Sequence, residues 1–357
     1  MSHAVEIPPI QGVQGTLYTI PVTPIRAVTP ATRADAQPKA DAPPAPPTPD
    51  QARTQAVAQA VQQAAPRQTS LAPLFADLAQ ALKGRPLPAP VQQAAAQVAA
   101  QAVPLSPAIS AETISRAFAQ SGLFLERNLG AKPGESPQGR DLKAGLLDLR
   151  QALEDWLGEA RAGGARGGDR PPPPPFRGGP TSAQPAARGG LPADASSQAV
   201  GQRLADEVEG ALARHELMQA ASLPQPPSGT DPASARWMFE IPFASPQGAT
   251  VAQFEISRED EEEAQGRAAG QGPTYRARFS VDLSPLGPTH AQVALRGDHA
   301  NVALWAERGD SAAQLHALKP LLAGALTRAG LAAEVVVYPG QPPARAPGAG
   351  QFVAVST

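Results

Sequence analysis

The side chains that could do chemistry in this chain are its five histidines and the carboxylates near them. None of the histidines stands in an HExxH motif or in another metal-ligand spacing. His290, Asp298 and His299 are the closest approach to a metal or acid–base cluster. Because hairpins of a β-sheet commonly carry such polar residues at the surface, we expect no catalytic or metal site there.

The other common catalytic motifs are also missing. The chain has no cysteine, which excludes a disulfide, a thiolate nucleophile and a cysteine zinc site. It has no GxxxxGK[ST] loop, no GxSxG elbow and no GxGxxG after a predicted strand. We therefore predict a protein that is not an enzyme and that has no catalytic, cofactor-binding or metal-binding residues.

Composition divides the chain into an open part and a folded part. Of the 357 residues, 42 are proline and 32 are glycine, and 32 of the prolines lie before residue 233. This asymmetry places most of the predicted disorder in the first two thirds of the chain. The net charge of −2 and the lack of aromatic residues interleaved with the Arg-Gly-Gly triplets give no reason to expect nucleic-acid binding.

Neither a membrane span nor a secretory signal is predicted. No run of 18 apolar residues occurs, so we expect no direct insertion into a membrane. The first nine residues lack the basic and apolar regions of a secretory signal, which predicts that there is no cleavable signal peptide.

The N-terminal two thirds are predicted to be mostly disordered and rich in Pro, Ala and Gln, with short helices. Residues 1–110 contain proline runs, two Ala/Gln tracts and one amphipathic island from Leu71 to Leu82. Residues 111–157 form a helical segment, which is either a hairpin that buries its own apolar stripes or a docking element for a partner. Residues 158–198 are predicted to be a Gly/Pro/Arg-rich linker, and residues 199–222 a helix.

The last third is predicted to be an α+β domain at residues 234–340, followed by a flexible tail at 341–357. Alternating apolar residues indicate two strands at 237–243 and 252–256, and three more strands follow from Tyr275 to Ala306. A helix at about 310–329 and a final strand at 333–339 complete the domain. One-sided strands of this kind favour a mainly antiparallel sheet packed on one helix.

Within this domain, several side chains have predicted orientations. The helix begins near Asp310 and Ser311, which are good N-cap residues, and Pro320 predicts either a kink or a later helix start. Trp305 points away from Leu304 and either packs on the early strands or contacts a partner. The residues expected to face the sheet are Leu315, Leu318, Leu322, Leu326 and Ala329.

Several segments resemble the flagellar hook-length control family in the family's order. In the C-terminal domain these are the turn from Asp282 to Pro288, the strand Leu304–Glu307 and the helix end Ala329–Leu331. Upstream, the resemblance extends to 121–126 with 141–144, to 208–217 and to 237–242. Together these segments cover roughly half of the chain, and their order is more specific than any one of them.

The resemblance implies a molecular ruler that is exported through the flagellar type III apparatus. Its implied partners are hook and hook-cap subunits and the cytoplasmic domain of the export-gate membrane protein. At the gate, the C-terminal domain would switch export from hook to filament subunits. About 230 extended residues would span on the order of 750 Å. We expect a monomer that starts in the cytoplasm and ends outside the cell.

The predicted partner contacts are the turn residues Pro285, Leu286 and Gly287, together with Trp305. Pro fixes one backbone angle and Gly permits an unusual one, so the turn residues also have a purely structural explanation. Two alternative functions stay open: a needle-length regulator of a related injection-type secretion system, and a non-exported adaptor that uses the same domain.

Overall fold

The computed structural model describes residues 48–106, 109–131, 141–158, 171–224, 235–259 and 273–343. The predictions for residues 1–47 and for most of the tail, 344–357, lie outside these ranges. No helix in the described part of the chain is long and apolar enough to cross a membrane.

In the described ranges, seven helices precede the sheet strands of the C-terminal domain. Serine, threonine or aspartate caps five of them by accepting a hydrogen bond from a backbone N–H of the first turn. The helices are α1 (Pro49–Ala64), α2 (Leu71–Ala81), α3 (Ala89–Ala99), α4 (Ala111–Ala119), α5 (Leu125–Ala131), α6 (Leu142–Leu157) and α7 (Ser197–Ser222).

In the part of the chain that the structure describes, seven strands form one sheet whose strand order follows the chain order. All neighbouring strands are antiparallel except the pair β1 and β2 and the pair β6 and β7. Helix α8 (Gly309–Arg328) connects β6 to β7. The predicted mainly antiparallel sheet with one packed helix is therefore confirmed. The strands are β1 (Val103–Pro104), β2 (Ala235–Ser245), β3 (Gly248–Glu259), β4 (Thr274–Leu283), β5 (Gly287–Arg296), β6 (His299–Ala306) and β7 (Ala332–Pro339).

The two faces of this sheet differ in chemistry, because side chains alternate along each strand. One face, called the phenylalanine face, carries a continuous cross-strand row of Phe239, Phe254, Phe279, Ala291, Leu304 and Val337. The other, called the polar face, carries the row Glu240, Gln253, Ser280, His290, Trp305 and Tyr338. Helix α4 packs on the phenylalanine face, and helices α2 and α7 pack on β2 and β3 from the polar face.

The main core lies among helices α2, α3, α6 and α7, against Ala249 and Val251 of β3. The apolar stripe of α6 is buried there, so it forms part of the chain's own core and is not offered to a partner. Helix α6 packs on α3 and α7, whereas α4 packs on the sheet. The predicted hairpin between the segments of α4 and α6 therefore does not form. The stripe consists of Leu142, Leu146, Leu149 and Leu153.

The short helices predicted within residues 1–110 are confirmed, but their packing differs from the predicted open state. Leu74 and Leu78 of α2, and Val91 and Ala95 of α3, are fully buried. Alanine-rich helices can approach one another closely, so a few large side chains are enough to close this core. Composition alone does not predict this packing, because alanine-rich sequence is typical of open, low-complexity segments.

Residues 159–170 of the linker predicted at 158–198 lie outside the described ranges, and the residues from 171 on are packed on the rest of the chain. Residues 171–191, called the strap, lie across the polar face, with Thr181, Gln184 and Leu191 buried. Ala187 forms an isolated antiparallel bridge with Ala249 of β3. A proline-rich strand-like segment lacks backbone donors, so side-chain hydrogen bonds hold most of the strap in place.

The structure corrects three predicted details of helix α8. Leu318 and the capping residue Ala329, both predicted to face the sheet, are exposed. Pro320 lies inside one continuous helix that starts at Gly309, so the predicted alternative of a later start is wrong. Leu315, Leu322 and Leu326 are half-buried, as expected for the side of the helix that packs on β7.

Candidate partner-binding site at the turn end of the sheet

The predicted contact residues Pro285, Leu286 and Gly287 form the connection between β4 and β5. The Ser284–Pro285 peptide bond is cis, and Gly287 opens β5 with a φ of 76°. A positive φ of this size is a left-handed conformation that side chains with a Cβ rarely adopt. Glycine is therefore required by the backbone at this position, as the sequence predicts.

The turn is fixed to the start of α8 by two hydrogen bonds. Arg308 Nη1 donates to the carbonyl oxygen of Pro285 at 2.7 Å, and Ser311 Oγ donates to the carbonyl oxygen of Leu286 at 2.6 Å. A Cβ on Gly287 would lie 2.7 Å from Cδ of Arg308. The turn is thus held rigidly, and its backbone is presented in one conformation.

Sequence reasoning missed this anchoring role of Arg308 and Ser311. Ser311 was predicted to cap the helix, but it lies in the first turn of α8 and uses its hydroxyl to hold Leu286. Arg308 occupies the cap position and makes no side-chain capping bond. A serine near a helix start suits either role, and only the position of the turn decides between them.

A carboxylate pair lies beside the turn. Burial, and then the charge of Glu307, raise the pKa of the Asp282 carboxyl above its usual value. Glu307 accepts hydrogen bonds from Gln341 Nε2 at 2.9 Å and from His290 Nε2 at 3.1 Å. These contacts connect the ends of β6 and β7 to the end of the sheet that carries the turn.

A row of hydrogen bonds crosses the polar face and ends at Glu307. Thr181 Oγ1 lies 2.7 Å from Ser280 Oγ, and Ser280 Oγ lies 2.7 Å from His290 Nδ1. With Glu307 on the other ring nitrogen, the order Ser–His–Glu resembles a hydrolase triad. Ser280, however, is 0% exposed and its hydroxyl also bonds the carbonyl oxygen of Thr181 at 3.1 Å. Its oxygen has no path to a substrate, so this row can hold the strap on the sheet but cannot attack a bond.

Trp305 lies on the polar face next to His290 and stacks on Tyr338 of β7. The ring centroids are 5.6 Å apart and the planes differ by 24°. The predicted packing of Trp305 on the early strands is therefore not what the structure shows. Tyr338 is 44% exposed, so the pair forms an aromatic surface that a partner could reach.

The structure brings all four predicted contact residues to one end of the sheet, here called the turn end. Trp305 precedes Glu307 and Arg308 in the chain, and Arg308 holds the turn. The turn end therefore carries a fixed turn and, on the polar face, a stacked aromatic pair. Trp305 was predicted from the sequence as a contact residue, but Tyr338 was not. The available signal was its position directly after the three valines of β7.

His299 and Asp298 lie at the opposite end of β5 from His290. Their side chains are 74% and 75% exposed, with 3.6 Å between Nε2 and Oδ1. The three residues are therefore not brought together. Within the described ranges, no group of three or more His, Cys, Asp or Glu residues is placed to hold a metal ion.

Comparison with known proteins assigns the C-terminal part of the chain. Residues 263–346 match the family model described as flagellar hook-length control protein FliK. The match includes β4 to β7, α8, the turn and Trp305. No curated protein and no solved structure matches the chain. Residues 263–346 of this chain therefore form a flagellar hook-length control domain.

Proposed function

We propose that this protein measures the growing flagellar hook and then switches the export apparatus from hook to filament subunits. The family match at residues 263–346 carries the proposal, because it assigns a role in hook-length control to the domain that contains the fixed turn. The match favours the flagellar function over the regulator of an injection needle. The remaining alternative, a non-exported adaptor, is an outcome of the experiment below.

In this proposal the chain is exported unfolded through the flagellar type III apparatus. The N-terminal region contacts hook and hook-cap subunits on the way and reports hook length. The chain has no cysteine, so no disulfide has to be broken before it is threaded. The helices at 48–224 must unfold for this passage, and a marginally stable domain unfolds at a cost of about 5–15 kcal/mol.

The proposed switch contact is the turn end of the sheet. Pro285 is exposed, Arg308 and Ser311 hold the carbonyl oxygens of Pro285 and Leu286, and the aromatic pair of Trp305 and Tyr338 lies on the polar face at the same end of the sheet. A fixed turn loses little conformational freedom on binding, which favours it as a contact for the cytoplasmic domain of the export-gate membrane protein. The proposal includes no catalytic step.

Hook length in cells with an insertion tests the ruler. About 27 Gly/Ser/Pro-rich residues inserted between residues 36 and 37 would lengthen a fully extended ruler by about 90 Å. We expect hooks that are longer by up to this amount and still carry filaments. The control is the same insertion after residue 346, behind the matched domain, which leaves hook length unchanged.

Two results would count against the ruler. Hooks of wild-type length with the N-terminal insertion would show that the chain does not measure length. Absence of the protein from the culture medium, with hook length still altered, would favour the non-exported adaptor.

Exposed tyrosines provide a matched test of the switch contact. Tyr338 and Tyr275 are each 44% exposed, but only Tyr338 stacks on Trp305 at the turn end. We expect Tyr338→Ala to give overlong hooks with few filaments, and Tyr275→Ala to give normal hooks. Normal hooks in Tyr338→Ala and in Trp305→Ala would remove this surface from the switch.

A further inference from the structure

The hydrogen-bond row on the polar face joins two parts of the molecule that lie far apart in sequence. It begins in the middle of the strap, where Thr181 Oγ1 lies 2.7 Å from Ser280 Oγ, and Ser280 Oγ lies 2.7 Å from His290 Nδ1. The other ring nitrogen of His290 lies 3.1 Å from Glu307 Oε1. Glu307 directly precedes Arg308, which holds the turn. The row therefore connects the strap to the turn end.

The direction of this row follows from its last member. The carboxylate of Glu307 can only accept, so Nε2 of His290 carries a hydrogen and donates it. In a ring with a single N–H, Nδ1 accepts from Ser280 Oγ, and Ser280 Oγ in turn accepts from Thr181 Oγ1. All donors thus point toward Glu307. Hydrogen bonds in such a chain polarise one another, so the hydroxyl of Thr181 contributes to the bond that Glu307 receives.

Most of the row is shielded from water. Thr181 is 8% exposed, Ser280 0% and His290 5%. A buried hydroxyl or ring nitrogen that loses its partner cannot bond water instead, so the loss of one member affects the position of the next. The side chain of Glu307, at 31% exposure, is the member that reaches the surface.

Glu307 is also tied to the turn by its own backbone. Its N–H donates to the carbonyl oxygen of Pro288 at 3.1 Å, directly after Gly287. The next residue, Arg308, holds the carbonyl oxygen of Pro285 at 2.7 Å. Because hydrogen bonds weaken steeply with distance and angle, a shift of Glu307 loosens both contacts of the turn at once.

The strap is tied at both ends to the helical part of the chain. Gln68 Nε2 donates to the carbonyl oxygen of Pro172, and Gln80 Nε2 of α2 donates to that of Leu191, both at 2.8 Å. Between these ends, the buried side chains of the strap are polar. A segment with few buried apolar contacts opens at a lower free energy than the core. The strap is therefore expected to leave the sheet when the helical part unfolds, before the sheet itself does.

We propose that the strap positions the turn end, with Thr181 acting through Ser280 and His290 on Glu307. With the strap in place, Glu307 is fixed and the turn has one conformation. With the strap removed, the row loses its first donor and the turn becomes more mobile. The consequence for export rests on the proposed function: a chain whose strap has been drawn into the export channel presents a different turn end from a chain whose strap lies on the sheet.

Hydrogen exchange in the purified full-length chain tests this positioning. Thr181→Val removes the hydroxyl and keeps the size of the side chain. We expect the backbone N–H groups of Glu307, Gly287 and Thr289 to exchange about fivefold faster, as the loss of one buried hydrogen bond implies. Thr181→Ser keeps the hydroxyl and should exchange as the wild type does. Ser280→Ala interrupts the row at its middle and should give the same pattern as Thr181→Val.

Ser182→Ala is the matched control, because it removes one hydroxyl bond between the same strap and the sheet, outside the row. That bond joins Ser182 Oγ to Gln253 Oε1 at 2.9 Å. We expect faster exchange at Ala187, whose N–H bonds the carbonyl oxygen of Ala249, and unchanged exchange at Glu307. The N–H of Leu149 in α6 reports unfolding of the helical core in every variant.

Equal exchange at Glu307 in Thr181→Val and Ser182→Ala would overturn the proposal. So would wild-type exchange at Glu307 in Ser280→Ala, or a Thr181→Ser variant that behaves like Thr181→Val. Faster exchange that extends equally to Leu149 would show a general loss of stability and would also overturn it. Failure of the proposed function is read separately, from hook length in Tyr338→Ala, and leaves these exchange results unchanged.

Discussion

His215 makes the stability of the helical part of the protein depend on pH. It lies in α7 and is 8% exposed, and its ring is packed against the turn at Gly122. Burial, and then the nearby charge of Lys143, lower the pKa of this imidazole to about 4, although the backbone of Gly122 and the charge of Glu126 act in the opposite direction. Nε2 of the ring has no hydrogen-bond partner. The neutral ring is therefore the form that the folded protein accepts.

The sign and size of the effect follow from linkage. The unfolded chain takes up a proton on this histidine near pH 6.5, whereas the folded chain resists protonation down to about pH 4. Stability is therefore complete above pH 6.5 and falls as the pH drops toward 4. One pKa unit corresponds to about 1.4 kcal/mol, so the loss is about 2 kcal/mol at pH 5 and about 3 kcal/mol at pH 4.

Urea unfolding at a series of pH values between 4 and 7.5 measures this loss. His215→Asn places an amide near the position of Nδ1 but cannot take up a proton. We expect the variant to have a lower free energy of unfolding at pH 7 and to lack about 2 kcal/mol of the decrease between pH 7 and pH 5. His316→Asn, at an exposed position of α8, serves as the control and should keep the full decrease. A wild-type slope in His215→Asn would refute the reasoning.

Three further changes test the packing and the turn. Arg214→Met leaves the carboxylate of Glu240 buried without its ion pair at 2.9 Å, so the free energy of unfolding should fall by about 3–5 kcal/mol. The double variant Arg214→Met with Glu240→Leu should recover most of this loss, because it removes the unpaired buried charge. Gly287→Ala places a side chain at a φ of 76° and against Arg308. The free energy of unfolding should therefore fall by about 1–2 kcal/mol, and the thermal midpoint should fall with it. Burial, and then the charge of Asp77, raise the pKa of Glu207 to about 9. Stability is therefore lost as the pH rises from 4.5 toward 9, and Glu207→Gln should flatten that loss in thermal melts at pH 6 and pH 9. Each argument has its own contradicting result. For Glu207→Gln it is an unchanged pH dependence, for Gly287→Ala a wild-type midpoint, and for the double variant no recovery of stability.

The sequence predicts those elements whose signal is local. Helix α7 was predicted at 199–222 and is found at Ser197–Ser222, because a serine cap and a long apolar period define it. The strands of the C-terminal domain follow from simple alternation, and the need for glycine at 287 follows from the turn.

The strap shows why the rest could not be predicted. Its residues have no periodicity, and its contacts join distant parts of the chain. Gln184 Nε2 donates to Glu240 Oε1 at 2.5 Å across 56 positions, and Ser182 bonds Gln253 across 71 positions. Such hydrogen bonds depend on where the sheet lies, and composition contains no information about that. The same holds for the aromatic pair of Trp305 and Tyr338, which exists because β6 and β7 are parallel neighbours.

The agreement between strand order and chain order determines how the sheet responds to force. A pull from the N-terminal side first removes the two-residue edge strand β1, and removal of β2 then makes β3 the new edge, followed by β4 and β5. Each step breaks one antiparallel ladder from its end, bond by bond, and does not shear two strands past each other along their full length. The final pair, β6 and β7, is parallel and joined through α8, and the other parallel pair, β1 and β2, is only two residues long. The domain is thus built to unzip progressively from its N-terminal edge, with its most interlocked part reached last.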